Sequence, residues 1–278
     1  MARVALVTGA NQGLGLALVR GLCLTLVQDD AVYLTARDAA RGTDAVAALR
    51  REGLEPQFLP LDVTDPASID AARRTIEARH GGLDILIGNA AARIVRERSP
   101  AEQARHFVDT NNFGTRRLLD AFGPLLRDGA RVIVVASGFG QLSRLPPSLH
   151  SLFDAPGLTL DDIDRAMADY VDAVETGRAA AQGWSDWINI ASKVGQVASM
   201  RIFARDRAIE WAARDILVNA ACPGLVDTEA SRPWFDDMSQ AQSPDMAARD
   251  LIWLAALPAG TRAPHGELVR HRHVLPWR

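Results

Sequence analysis

Lysine is almost absent. The chain holds 31 basic residues, and Lys193 is the one lysine among them; all the others are arginine. A lone lysine in an arginine-dominated chain marks a position that needs its own explanation. Cysteine is scarce as well. Cys23 and Cys222 form no CxxC pair and no metal-ligand spacing, which excludes a disulfide framework and a zinc site and reads as two small core residues in a reducing compartment. There are only two tyrosines, Tyr33 and Tyr170. No apolar run reaches membrane-spanning length. The first strand-like run begins at Arg3, which leaves no space for a secretory leader. No cluster of basic residues could track a phosphate backbone, and a net charge of −3 gives nucleic acid no foothold. These absences point to a cytoplasmic enzyme or binding protein whose partner is a small molecule. With 278 residues, 48% hydrophobic and 23% charged, the chain can bury a sizeable core.

Short apolar runs alternate with helical periodicity. Strands are expected at Val4–Val7, Ala31–Thr35, Gln57–Leu61, Leu83–Ile87, Arg131–Ala136, Ile216–Ala220 and Glu267–Arg270. Between them helices are expected at Gly13–Val27, Ala39–Arg51, Pro66–His80 with Asp65 as N-cap, Ala101–Arg127 with a break near Asn111, Trp187–Arg214 and Pro244–Leu257. The strands are continuously apolar, as burial on both faces requires. The pattern predicts a parallel sheet with helices on both sides. Residues 138–186 break the rhythm with Pro146-Pro147 and a helical stretch at Leu158–Thr176, and read as an insertion after the fifth strand within one domain spanning 1–278.

Thr8-Gly-Ala-Asn-Gln-Gly-Leu-Gly15 lies between the first strand and the first helix. In that context the glycines have distinct uses. Gly9 permits a tight turn, Gly13 lets a pyrophosphate approach backbone N–H groups at the helix N-terminus, and Gly15 allows close helix–strand packing.

This arrangement resembles the short-chain dehydrogenase/reductase family, whose TGxxxGxG spacing is matched by Thr8, Gly9, Gly13 and Gly15 over a chain that follows the family nearly throughout. The resemblance implies a single Rossmann-type doubly wound parallel sheet and a bound dinucleotide. It places Asn11, Gln12 and Leu14 in the phosphate turn, Asp62 and Val63 against the adenine, and Pro223, Gly224, Val226 and Thr228 on the nicotinamide side. Asn89-Ala90-Ala91 is similar to the NNAG motif, with Gly88 and Ala91 as departures. Asn111 matches the helix asparagine and Ser137 the active-site serine, a donor to the substrate oxygen. The insertion, Gly183-Trp184 and Ala220–Gly224 resemble the monomeric carbonyl reductase subgroup, which implies a monomer.

An NAD enzyme usually places a carboxylate at the end of the second strand to hold the ribose hydroxyls. Here Ala36 stands there, followed by Arg37, which can pair with a 2′-phosphate, and Asp38, which can cap the next helix. NADP is the expected cofactor. Gln12 runs slightly against this, because basic residues often stand there in NADP-dependent relatives.

The catalytic pair of the family is YxxxK on one helix face. Lys193 matches the lysine, but Asn189 stands four residues earlier where the tyrosine is expected. An amide can donate a hydrogen bond but cannot supply a proton. Tyr170, from the insertion, is a candidate substitute acid; Ser192 and His150 are weaker ones, and a water held by Asn189 is another route. Trp184, Trp187, Trp234 and Phe235 flank the expected site and suit a large, flat, apolar substrate. Three readings compete: an NADPH-dependent carbonyl reductase with a non-standard proton donor, a cofactor-binding enzyme of a non-redox class (cyclase, isomerase or dehydratase), and a catalytically inactive NADP-binding partner protein.

Overall fold

The structure is a computed structural model that describes residues 2–27 and 29–278. Eight strands form one sheet in the order β3-β2-β1-β4-β5-β6-β7-β8. They are β1 (Val4–Val7), β2 (Ala31–Ala36), β3 (Gln57–Pro60), β4 (Leu83–Gly88), β5 (Leu126–Val135), β6 (Leu217–Ala221), β7 (Leu268–Arg270) and β8 (His273–Leu275). All neighbours pair in parallel except β7 and β8. The helices are α1 (Gly13–Thr25), α2 (Ala39–Arg51), α3 (Pro66–His80), α4 (Pro100–Val108), α5 (Gly114–Phe122), α6 (Ser151–Asp154), α7 (Leu160–Glu175), α8 (Ile188–Asp206), α9 (Ala208–Ala213) and α10 (Pro244–Ala255).

The period of two along β1 sorts the core. Val4 and Leu6 join the apolar layer built with α3, α4, α5 and α8, while Ala5 and Val7 join the layer under α1, α2 and α10. The sheet is thus doubly wound, and both faces of its central strands are dry. The strand order reverses direction between β1 and β4. Such a switch point opens a crevice at the carboxyl ends of the strands.

Local chemistry sets the main boundaries. Asp65 caps α3 by accepting from the Ala67 N–H at 2.9 Å, with Pro66 in the first turn. Ser99 and Glu102 form a capping box at α4, and Thr159 with Asp162 forms another at α7. The expected break near Asn111 is a π-helical stretch, Asp109–Phe113, between α4 and α5.

Three expectations are corrected. The helix expected over Trp187–Arg214 is two helices, parted at Arg207. No glycine or proline causes the break. Trp211 turns back to meet Phe203, ring centroids 5.1 Å apart, and the Arg207 guanidinium lies 4.1 Å from the Phe203 ring. The helix expected to run to Arg127 ends at Phe122, and β5 begins five residues before its expected start, around Gly129 with φ +83°. Finally, β8 had no sequence signal. It is joined to β7 by a two-residue turn, His271-Arg272, with φ of 49° and 65°. Such turns ordinarily carry Asn-Gly or Asp-Gly.

The insertion holds short 3₁₀ turns, α6 and α7. Its long helix α7 packs against both α4 and α8. No helix among the described residues is long and apolar enough to cross a membrane, and none of their His, Cys, Asp and Glu side chains cluster to hold a metal ion.

Candidate functional site

One cleft of about 960 Å³ runs along the carboxyl ends of the strands. Its first wall is the turn between β1 and α1. Gly9 and Gly13 adopt φ of +61° and +55°, the left-handed region that glycine enters at no steric cost. A methyl group on Gly9 would lie 2.8 Å from the Ala90 Cα, so Gly9 abuts the segment after β4. Gly15 is tighter still: its Cβ would meet Gly9 O and Asn89 Nδ2 at 2.5 Å. Asn89 clamps this turn. Its amide donates to the carbonyls of Thr8 and Gly9 at 3.0 Å, while Thr8 Oγ1 accepts from the N–H groups of Asn89 and Ala90.

The start of α1 is left open. The Gln12 side chain at its N-cap makes no capping bond to the helix, and its first turn holds no acidic residue. The free N–H groups and the helix dipole there form a natural anion site. Next to it, Arg37 lines the cleft at the end of β2 with no carboxylate partner among the described residues. Asp38 also lines the cleft, but its carboxylate caps α2 by accepting from the Arg41 N–H at 3.0 Å. Arg41 also lines the cleft and donates to Gln12 Oε1 at 3.0 Å. Sequence reasoning missed Arg41, although its spacing of four from Arg37 across the helix start was a usable signal. Asp62 follows β3. Its Oδ1 accepts from the Thr64 N–H and hydroxyl, which leaves Oδ2 for a ligand.

The inner end of the cleft gathers Asn111, Ser137, Asn189 and Lys193. Asn111 sits in the π-helical stretch. Its Oδ1 accepts from the Ala92 N–H at 2.9 Å, and its buried Nδ2 has no partner among the described residues. Ser137, just past β5, accepts from the Phe139 N–H at 3.3 Å. Asn189 and Lys193 lie one turn apart on α8, both lining the cleft. The Lys193 ammonium is buried. It donates to Val135 O at 3.2 Å and Gln196 Oε1 at 2.8 Å, and burial pushes it down to about 8. Cys222, expected to be an ordinary core residue, lines the cleft beyond β6 and slightly counters that shift.

Several expected residues are elsewhere. Tyr170 is fully buried on α7 and does not line the cleft. Its ring packs on Trp184 with centroids 4.7 Å apart, and its hydroxyl has no hydrogen-bond partner among the described residues. Burial, reinforced by Asp186, raises its pKa well above the ordinary tyrosine range, the wrong direction for an acid. Ser192 is spent on Asn112 Oδ1 at 2.7 Å, and His150 on Leu145 O at 2.9 Å. Trp184 belongs to the core. Trp187, Trp234 and Phe235 do line the cleft, joined by Phe139, whose ring meets Trp187 edge-on at 4.6 Å. Pro223, Gly224, Val226 and Thr228, after β6, line the cleft as Leu14 and Val63 do, and Asn11 stands in the glycine turn. The segment after β4 reaches this wall through Arg93–Glu229 at 3.3 Å and through Arg96, which donates to Pro233 O at 2.8 Å.

The arrangement can hold an elongated anion and an apolar molecule end to end. Six arginines and Lys193 line the cleft against three carboxylates, in a chain of net charge −3.

Comparisons with known proteins agree with this geometry. Residues 3–146 match the family model described as short chain dehydrogenase. The chain is 38% identical over 279 residues to carbonyl reductase (NADPH) 1 of Sus scrofa, covering 99% of this chain and 94% of the relative. It is 36% identical over 278 residues to the Rattus norvegicus protein of the same name, covering 99% and 98%. Among solved structures, salutaridine reductase from Papaver somniferum superposes with a TM-score of 0.83 at 25% identity, covering 96% of this chain and 99% of the other. Menthone neomenthol reductase from Mentha piperita shares the fold, with a TM-score of 0.79 at 24% identity over 97% and 99% of the two chains.

Proposed function

The chain belongs to the short-chain dehydrogenase family, and from that premise we propose that it reduces the carbonyl group of a fairly large, apolar small molecule with NADPH. The observation that carries the reading is the shared cleft. The one lysine of the chain lines the same cavity as the uncapped N-terminus of α1 and the unpartnered Arg37. Carbonyl reductases similar to it over nearly their whole length carry NADPH in their names.

The residues present fit the cofactor. The N–H groups at Gly13, Leu14 and Gly15 would hold the pyrophosphate, with Asn11 and Gln12 alongside. Arg37 and Arg41 would hold the 2′-phosphate and Asp62 and Val63 the adenine end, with Lys193 beside the nicotinamide ribose. Pro223, Gly224, Val226 and Thr228 would flank the nicotinamide, and Asn89 serves by fixing the glycine turn. The cofactor, when bound, supplies hydride. The chain's own part is to place the carbonyl and to stabilise charge on its oxygen. Ser137 and the Asn189 amide can donate hydrogen bonds there. Phe139, Trp187, Trp234 and Phe235 offer the apolar surface that would bind and desolvate the substrate.

The proton donor is non-standard. With Tyr170, Ser192 and His150 outside the cleft, the candidate donors beside Asn189 are Lys193, Ser137 and a water held by Asn189. The protein acts as a monomer in this reading, because α7 occupies the faces of α4 and α8 that another subunit would need; light scattering showing a tetramer would contradict it.

A second reading, a cofactor-binding enzyme of a non-redox class, is favoured by one observation: the donors Asn111 Nδ2, Ser137 and Asn189 surround a space with no tyrosine acid. Incubation with NADPH and a panel of bulky aryl ketones separates the two. Reduction consumes the cofactor in step with alcohol formation, whereas turnover at constant NADPH selects the non-redox class.

A further inference from the structure

A lysine ammonium has three N–H bonds. In Lys193 one is given to Val135 O at 3.2 Å and one to Gln196 Oε1 at 2.8 Å, and the third has no acceptor among the described residues. Gln196 is itself buried, one helical turn further along α8. Its Nε2 donates to Thr115 Oγ1 at 2.9 Å, and Thr115 Oγ1 donates to the backbone carbonyl of Asn111 at 2.7 Å. Each link can run in only one direction. An ammonium can only donate, so the glutamine turns its oxygen to it; the Thr115 hydroxyl, committed to a carbonyl, must accept from the glutamine nitrogen. Among the described residues no carboxylate touches the ammonium. Cys222, just past β6, slightly counters the effect of burial on it.

We propose that Lys193 gives the proton that no tyrosine can give in this site, and that Gln196 is the positioning residue that holds its ammonium charged and leaves one N–H for the cleft. The proposal rests on the reductase reading above. The step balances as follows. Hydride adds to the carbonyl carbon, the carbonyl π pair becomes an oxygen lone pair, and an Nζ–H bond breaks as an O–H bond forms. The products are an alcohol, the oxidised dinucleotide and a neutral lysine amine, which solvent reprotonates. An acid works best when its own midpoint lies near the working pH, and burial brings Lys193 down to about 8. An ordinary lysine would hold its proton too firmly. The amide tether works against burial: it stabilises the charged form without the fixed negative charge that would return the group to the ordinary range.

The chain offers a direct test because it has one lysine. Protein grown on lysine labelled with ¹³C at Cε gives one lysine side-chain signal, whose titration reads Lys193 alone, with no cofactor present. The wild-type midpoint is expected near 8. Gln196→Leu removes an acceptor from the ammonium and should lower the midpoint by about one unit, since a hydrogen bond to a charged group contributes about one to two pH units' worth of free energy. Gln196→Glu, of the same shape, adds an opposite charge and should raise it. The rate of ketone reduction should fall as pH rises through the same midpoint, and this limit should move with the NMR midpoint in both variants. A wild-type midpoint in the ordinary lysine range, a midpoint indifferent to both substitutions, or a rate profile that ignores it overturns the proposal. If the wild type oxidises no NADPH with any ketone while the lysine titrates as described, the reductase reading fails and the donor role falls with it, but the tether stands.

Discussion

Replacing Arg37 should reverse the cofactor preference. The guanidinium lines the cleft at the end of β2 with no carboxylate partner among the described residues, which leaves its charge for a ligand. Arg41 stands beside it, one turn into α2. A hydrogen bond to a charged group contributes about 1.5–3 kcal/mol. Both arginines are exposed, so the lower figure applies to each. Two such contacts to a 2′-phosphate give about 3 kcal/mol, or a preference for NADPH over NADH on the order of 10²-fold. Arg37→Asp removes one contact and sets a carboxylate against the phosphate, while offering an acceptor to a free 2′-hydroxyl. Tryptophan-fluorescence titration with the two cofactors reads the dissociation constants. NADPH should bind about 10²-fold tighter to the wild type, and NADH tighter to Arg37→Asp. At 1 M salt, where the screening length is about 3 Å, the wild-type preference should shrink. Equal affinities in the wild type, or a preference untouched by the substitution, would refute the argument that Arg37 reads the phosphate.

Asn189→Tyr restores an acid one turn from Lys193 and should raise ketone reduction by about 10²-fold or more, the usual worth of general acid catalysis; a fall instead would indicate an enzyme repurposed for other chemistry. Tyr170→Phe removes a buried hydroxyl that has no partner. Steady-state rates should stay unchanged and thermal stability should rise by up to about 1 kcal/mol; a tenfold loss of activity would return Tyr170 to the list of acids. Gly15→Ala places a methyl 2.5 Å from Gly9 O and Asn89 Nδ2, and calorimetry should show a loss of about 1–3 kcal/mol together with weaker NADPH binding.

Much of this molecule could be read from its sequence because local and global signals agree. The Asp65-Pro66 start fixes α3, and the alternation Val4–Val7 sorts two core layers without any partner being known. The glycine turn announced a cofactor cleft because Gly9, Gly13 and Gly15 lie between a strand and a helix. What escaped reading depends on contacts between distant residues. Trp211 packing on Phe203 parts α8 from α9, and no residue at Arg207 announces it. The turn at His271-Arg272 holds positive φ without the residues that usually signal it. Tyr170 was plausible as an acid from its place in the insertion, yet α7 turns it into the core against Trp184. Gln196 carried no motif at all. Its meaning comes from Lys193 one turn before it and from Thr115 on another helix.

The most direct test of the central claim is transfer of label from reduced cofactor to product. NADPH deuterated at the transferable position of the nicotinamide ring, incubated with enzyme and a bulky aryl ketone, should yield an alcohol carrying one deuterium on its carbinol carbon. One cofactor should be oxidised per alcohol formed. Product that forms without deuterium and without cofactor oxidation would contradict carbonyl reduction and select the non-redox reading. Tight NADPH binding with no product from any ketone would contradict it as well, and leave a cofactor-binding protein without this chemistry.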